Sequence, residues 1–324
     1  MYDSGIIGHQ KIVDFLKQSI ESHKIGQALL FIGPDGVGKT TVAQWLINRF
    51  FNKNNNPAES VRIINKVHPD IFFTDDDQSS LKIEQVRKIL DFAYQTPSLG
   101  NKKIIIINKA ERLTESGMNA LLKTLEEPPI STLFILTTSQ PEQILSTVKS
   151  RCLNIYFKPL PINDIYQFLS DKGIDNNEAK MIALISSGLP GIALNWLKSP
   201  EYISKIIEQA KELLKQINTD KHSQFQFSSH QITGKIFNDK KEEVLNLLKI
   251  WQVIFRDILL NKTDCPEYIR YQPAIKMIIN SSDRLTHLSI INTLKSLLNK
   301  TGYLNKNVQP TLVLNNLLLH YAYK

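Results

Sequence analysis

The nine residues Gly33-Pro34-Asp35-Gly36-Val37-Gly38-Lys39-Thr40-Thr41 constrain this chain more than any others. They follow directly on an apolar run over 28–32 and open a helical pattern over 40–50. Glycines let a backbone wrap tightly enough for consecutive N–H groups to converge on phosphate oxygens at a helix N-terminus. In that reading Gly33, Gly36 and Gly38 shape the loop and Lys39 neutralises the β- and γ-phosphates. The Thr40 hydroxyl ligates Mg²⁺, with Thr41 beside it. The match is complete and the strand–loop–helix context is the one the motif requires, so ATP with Mg²⁺ is the expected cofactor. An ordinary glycine-rich turn and an inherited loop that no longer meets a ligand stand as alternatives.

Such a loop belongs to a sheet covered by helices. Up to residue 158, short apolar runs alternate with helical patterns, and strands are expected over 28–32, 71–73, 104–107, 133–137 and 153–157. Residues 104–107 are apolar at every position, as when both faces of a parallel strand are covered. After Lys158-Pro159-Leu160-Pro161 the strand signals cease. Gly173 and Gly188-Leu189-Pro190-Gly191 punctuate three short helices, and beyond residue 200 Leu and Ile recur at helical spacing, as in Val244, Leu245, Leu247, Leu248, Trp251, Ile254 and Phe255. The expected fold is a five-stranded parallel α/β P-loop module over 1–158, a small helical lid over 159–200 and an all-α domain over 201–324. The stretch 218–229 is read as a polar loop, and 52–56 as a low-complexity patch.

Composition narrows the function classes. With 42% hydrophobic and 22% charged residues, a chain of 324 buries a sizeable core without metal or disulfides, and disorder throughout is excluded. The only cysteines, Cys152 and Cys265, make no disulfide framework and no zinc spacing, which fits a reducing cytoplasm. No apolar run approaches the ~18 residues of a membrane span, and Met1-Tyr2-Asp3-Ser4-Gly5 lacks the order of a signal peptide. A soluble protein is expected. The net charge of +8 divides into 19 − 16 = +3 over residues 1–158 and 20 − 15 = +5 over the rest, with no basic arm. That is compatible with phosphate-backbone contact and equally with a solvated surface.

A working NTPase also needs an acid at the end of a second strand to hold the metal, with a carboxylate beside it to orient water. The strand over 104–107 is followed by Asn108-Lys109-Ala110-Glu111. Asn108 brings no negative charge to Mg²⁺, and the Lys109 ammonium cannot accept a proton. Glu111 is displaced by its spacing from either role and reads as a surface helix residue. Nucleotide binding with little or no hydrolysis is the expectation.

Five segments occur in the order seen in one family. Ile6-Ile7-Gly8-His9-Gln10, the phosphate loop, His68-Pro69-Asp70, the run from Ala120 to Pro129 (ALLKTLEEPP) and Ser150-Arg151-Cys152 resemble the AAA+ clamp-loader subunits of bacterial DNA polymerase III. The likeness is nearest to the delta-prime branch. It covers residues 1–200 well and extends more loosely through the segment 305–312. Read without the family, Leu121, Leu122 and Leu125 make one apolar helical face that Pro128-Pro129 ends, and Arg151 is a solvated residue before a strand.

The resemblance implies more. Arg151 becomes a finger acting in trans on ATP held by a neighbouring subunit, with the chain a stator that helps load a sliding clamp onto primed DNA. The implied partners are motor and delta-like subunits in a hetero-oligomeric ring, the clamp and DNA phosphates. The helical domain over 201–324 becomes a collar, to whose core or interface the surplus apolar Leu312, Val313, Leu314, Leu317, Leu318 and Leu319 belong. Hydrolysing members carry Asp-Glu where this chain has Asn108-Lys109, and an Arg sensor where it has Ile192; the first sensor position, near Thr138 or Ser139, keeps a hydroxyl. Related subunits insert a four-Cys zinc module after the loop helix. Residues 51–67 hold no Cys, so no zinc is expected, and His68 reads as a turn or cap residue. Two rivals remain: a motor-type, gamma/tau-like ATPase in which Glu111 or another acid replaces the missing Asp, and a P-loop scaffold outside replication.

Overall fold

Lys103, Ile104, Ile105, Ile106 and Ile107 are all buried, the mark of a parallel strand covered on both faces. The computed structural model describes residues 6–51, 61–63, 65–74, 80–198, 208, 211–212, 214–215, 241–269, 275–305, 308–310, 312–313 and 316. Its sheet has five strands: β1 (Ala28–Ile32), β2 (Ile71–Phe73), β3 (Lys103–Ile107), β4 (Thr132–Thr138) and β5 (Leu153–Tyr156). Their order is β2-β3-β4-β1-β5, and every pair is parallel. β1, which leads into the phosphate loop, lies between β4 and β5. The expected strands agree to within one residue at each end.

Alternation along the strands builds two cores. Leu29, Phe31, Ile104, Ile106 and Ile135 face α1 (Gln10–Glu21) and α2 (Lys39–Phe51) through Leu16, Val42, Leu46 and Ile47. Leu30, Ile105, Ile107, Phe134 and Leu136 face α3 (Ile83–Ala93) and α4 (Glu115–Glu126) through Val86, Ile89, Leu121 and Leu125. Thr114 caps α4, accepting the Gly117 N–H at 3.2 Å, and the helix stops just before Pro128-Pro129. Cys152 belongs to the second core, where burial pushes its thiol up to about 11.

His68-Pro69-Asp70 is a clamp on the sheet's entry edge. Asp70, fully buried, accepts the backbone N–H groups of Ser98, Leu99 and Gly100 at 2.6, 2.7 and 2.9 Å. Lys103 Nζ lies 3.6 Å from the same carboxylate and 3.9 Å from the centre of the Phe92 ring. His68 Nδ1 accepts the Asp70 N–H at 3.0 Å while its ring packs on Phe51, the turn role expected of it.

After β5 come α6 (Ile162–Asp171), α7 (Asn176–Ile185) and α8 (Pro190–Lys198), separated by Gly173 and Gly188 at φ +79° and +83°. The chain divides into two compact units, Met1–Gly173 with Ser186–Leu194, and Ile174–Ile185 with Asn195–Lys324. In the second, α9 (Lys241–Lys262) packs on α10 (Ile275–Arg284) and α11 (His287–Asn305). Val244, Leu247, Leu248, Trp251, Ile254 and Phe255 are buried and Leu245 half-buried, as the periodicity predicts. Val313 is buried and Leu312 exposed, while Leu314, Leu317, Leu318, Leu319, the loop at 218–229 and the patch at 52–56 lie outside the described residues. Among the described residues, no helix is long and apolar enough to cross a membrane.

Candidate functional site

The phosphate loop and the segments after β3 and β4 leave the carboxyl ends of their strands, where open α/β sheets hold their ligands. The phosphate loop joins β1 to α2. Gly33 donates its N–H to the Thr138 carbonyl of β4 at 3.1 Å, and a Cβ there would sit 2.5 Å from the Phe157 carbonyl oxygen, so only glycine fits. Gly36 and Gly38 take φ +78° and +111°. Lys39 is 7% exposed, and its ammonium donates to the carbonyls of Gly33 and Pro34 at 2.5 and 3.0 Å. Burial holds its pKa below the usual lysine range, with Lys109 adding to that and Asp35, 3.8 Å away, and Glu111 opposing. Thr40 and Thr41 are exposed at the first turn of α2. Three glycines, an ammonium and two open hydroxyls fit a triphosphate with Mg²⁺ on Thr40. When bound, the ion would offset phosphate charge.

His9 fastens this loop, a part that sequence reasoning missed. In a left-handed conformation at the head of α1, it places Nε2 2.8 Å from the Val37 carbonyl oxygen. Its ring packs edge-on to Phe157. A Cβ on Gly38 would meet the His9 ring at 3.7 Å, an ordinary contact, so it is the φ of +111° and not lack of space that calls for glycine there. The only signal in the sequence was the position of His9 in the motif Ile6–Gln10.

At the end of β3 the backbone is pinned by hydroxyls: Asn108 N–H donates to Thr74 Oγ1 and Lys109 N–H to Thr137 Oγ1, each at 3.1 Å. Lys109 takes φ +52° and begins a short 3₁₀ turn, Ala110–Arg112. Here the reading of Glu111 as a surface residue is corrected. It is half-buried, and its Oε1 accepts from Ser139 Oγ at 3.0 Å and Ser139 N–H at 3.3 Å. Its charge also reaches Lys39. A tight turn after Lys109, invisible to linear spacing, brings the carboxylate back to Ser139 at the end of β4.

The lid meets the loop directly. Gly191 donates its N–H to the Gly36 carbonyl at 2.8 Å, and Ile192 Cγ1 lies 3.5 Å from where a Gly36 Cβ would be. Leu160 N–H donates to the Gly188 carbonyl at 2.8 Å, tying the same segment to the chain leaving β5. Ile192 therefore presents an aliphatic group to the loop, with nothing to bond a phosphate.

Arg151 follows α5 (Ser146–Lys149), two residues before β5 and at the surface of its unit. Its side chain is 30% exposed and pairs with Glu126, the last residue of α4, at 3.0 Å. The run from Ala120 to Pro129 and the Ser-Arg-Cys segment, separate in sequence, thus touch through their charged residues.

The family described as DNA polymerase III, delta subunit, matches residues 8–161. The gamma subunit of DNA polymerase III from Buchnera aphidicola subsp. Schizaphis graminum (strain Sg) is 36% identical over 212 residues, 62% of this chain and 58% of that one. The delta' subunit of Bacillus subtilis (strain 168) is 27% identical over 315 residues, 95% of this chain and 94% of that one. The delta' subunit of Pseudomonas aeruginosa (strain PAO1) is 30% identical over 206 residues, 58% of this chain and 62% of that one. Similarity to the first and third of these thus spans less than two thirds of their length. The matched span runs from the His9 latch through the phosphate loop and Arg151 to the lid's entrance, and over it the chain is similar to subunits of DNA polymerase III named gamma and delta'.

Proposed function

We propose that this chain is the stator of a DNA polymerase III clamp loader, lending Arg151 as a finger to ATP bound in a neighbouring motor subunit. The observation that carries the reading is an asymmetry of charge. The Arg151 guanidinium lies at the surface of its unit, whereas positions 108 and 109, where hydrolysis in cis needs acids, hold an amide and an ammonium. An arginine is always charged and offsets the charge spread of phosphoryl transfer. The ring of motor, delta-like and stator subunits would open a sliding clamp and thread primed DNA in the cytoplasm, with DNA contacts mostly to phosphates and therefore salt-dependent. Within the chain's own loop, Lys39, Thr40 and Thr41 would hold ATP with Mg²⁺ and turn it over little, and no zinc takes part.

The test is the ATPase of the reconstituted complex with clamp and primed DNA. Arg151→Ala should leave assembly intact and lower the rate by about 10³–10⁵-fold, the usual contribution of a finger in trans. An unchanged rate removes the assignment.

A second reading has one observation in its favour: Glu111 faces the loop lysine and bonds Ser139. In it the chain is a motor-type ATPase that uses a displaced acid. Robust turnover of Mg-ATP by the isolated chain, lost in Lys39→Ala, would establish that reading and dismiss the stator.

A further inference from the structure

Three of the five N–H donors of Arg151 are engaged within its own unit. Nε and Nη2 both donate to Glu126 Oε2, at 3.3 and 3.0 Å, and Nη1 donates to the Thr147 carbonyl oxygen at 3.1 Å. A guanidinium carries five donors in one rigid plane. One N–H is therefore left on each terminal nitrogen, the two that a phosphate takes together when it binds an arginine bidentately.

Both anchors are themselves fixed. Glu126 ends α4, whose Leu121 and Leu125 are buried in the core, and Thr147 precedes the buried Val148 in α5. Bonds from two core-mounted elements set both the position and the tilt of the plane. An arginine otherwise free to sample many rotamers would lose that freedom on meeting an anion. Here part of the loss is taken on folding. The carboxylate does not act as a trap, because its side chain is 60% exposed and an exposed pair is too weak to withhold a guanidinium from a triphosphate.

We infer that Glu126 is a positioning residue: with the Thr147 carbonyl it presets Arg151 so that two uncommitted N–H groups meet the triphosphate on the neighbouring protomer. The inference rests on the finger reading above and adds a second residue to it. Glu126 touches no substrate, and its effect passes through Arg151.

The reconstituted complex separates the two. At saturating ATP, Glu126→Ala should lower kcat by about 10- to 100-fold, the scale of a misplaced reacting group, with KM for ATP unchanged. Glu126→Gln keeps the shape and an acceptor oxygen, so its rate should fall between those of wild type and Glu126→Ala. The same ordering should hold if the alanine variant melts early, and a glutamine variant equal to wild type would then overturn the proposal. In an Arg151→Ala background, Glu126→Ala should add nothing, which a merely structural role would not predict. A collapse with Arg151→Ala but an unchanged or raised rate with Glu126→Ala overturns the positioning role and leaves the finger standing, as does an additive loss in the double variant. An unchanged rate with Arg151→Ala overturns the finger and the positioning role together.

Discussion

His9 Nε2 stands 2.8 Å from the Val37 carbonyl oxygen, so the first helix of the module and the crown of the phosphate loop are held by one bond. Val37 is fully buried, and its carbonyl would lose this side-chain partner with the imidazole. His9→Leu should therefore cost about 1–3 kcal/mol in urea unfolding and weaken ATP binding by the isolated chain. Burial lowers the pKa of His9 below 6.5, while the bond to Val37 works the other way. The unfolded chain then takes up the proton first. Stability fully present above pH 6.5 is lost as pH falls through the folded value, and His9→Leu should flatten that slope between pH 7 and 5.

Asp70 and Lys103 call for a different signature. Burial raises the Asp70 pKa, but the N–H groups of Ser98, Leu99 and Gly100 together with Lys103 outweigh it, leaving the carboxyl below its ordinary 3.8. Its contribution is complete above pH 3.8 and disappears as pH falls through the lower folded value. Asp70→Ala leaves a buried ammonium unpaired and should cost about 3–5 kcal/mol, measured by chemical denaturation at pH 7. The pair Asp70→Leu with Lys103→Met should cost less than Asp70→Ala alone.

Glu111 distinguishes binding from turnover. Glu111→Gln keeps the acceptor for Ser139 and removes one negative charge near Lys39. For a stator, ATP should bind the isolated chain more tightly, by about fivefold, since such a charge contributes about 1 kcal/mol at an effective dielectric of about 20. Isothermal titration checks the affinity. A fall in measurable turnover instead would favour the motor reading.

Two lid glycines should behave oppositely on substitution. A Cβ on Gly191 would lie 2.9 Å from the Gly36 carbonyl oxygen, backbone against backbone, whereas one on Gly173 meets nothing within 4 Å. Gly173→Ala should cost about 1–2 kcal/mol through its positive φ alone and leave ATP affinity untouched. Gly191→Ala should weaken ATP binding, because the loop itself must move to admit the methyl group.

What was legible in the sequence was whatever depends on runs and periods. The strands, the loop helix Lys39–Phe51 and the stripe of Leu121 and Leu125 emerged because alternation and helical spacing are local properties of the chain. Lys103 did not, for a lysine opening a strand looks like a solvated entrance until Asp70 and Phe92 are seen around it. Glu111 was misread because its return to Ser139 depends on the left-handed turn at Lys109, a conformation that no spacing rule marks. The junction of Glu126 with Arg151 spans 25 positions, and only the fold decides that one helix end faces the other.

The bond between Gly191 and Gly36 joins two backbones with no side chain as cushion. Cushions absorb small displacements; direct mainchain contact hands them on undiminished. Whatever shifts the crown of the phosphate loop therefore acts directly on the opening turn of the helix that begins at Pro190.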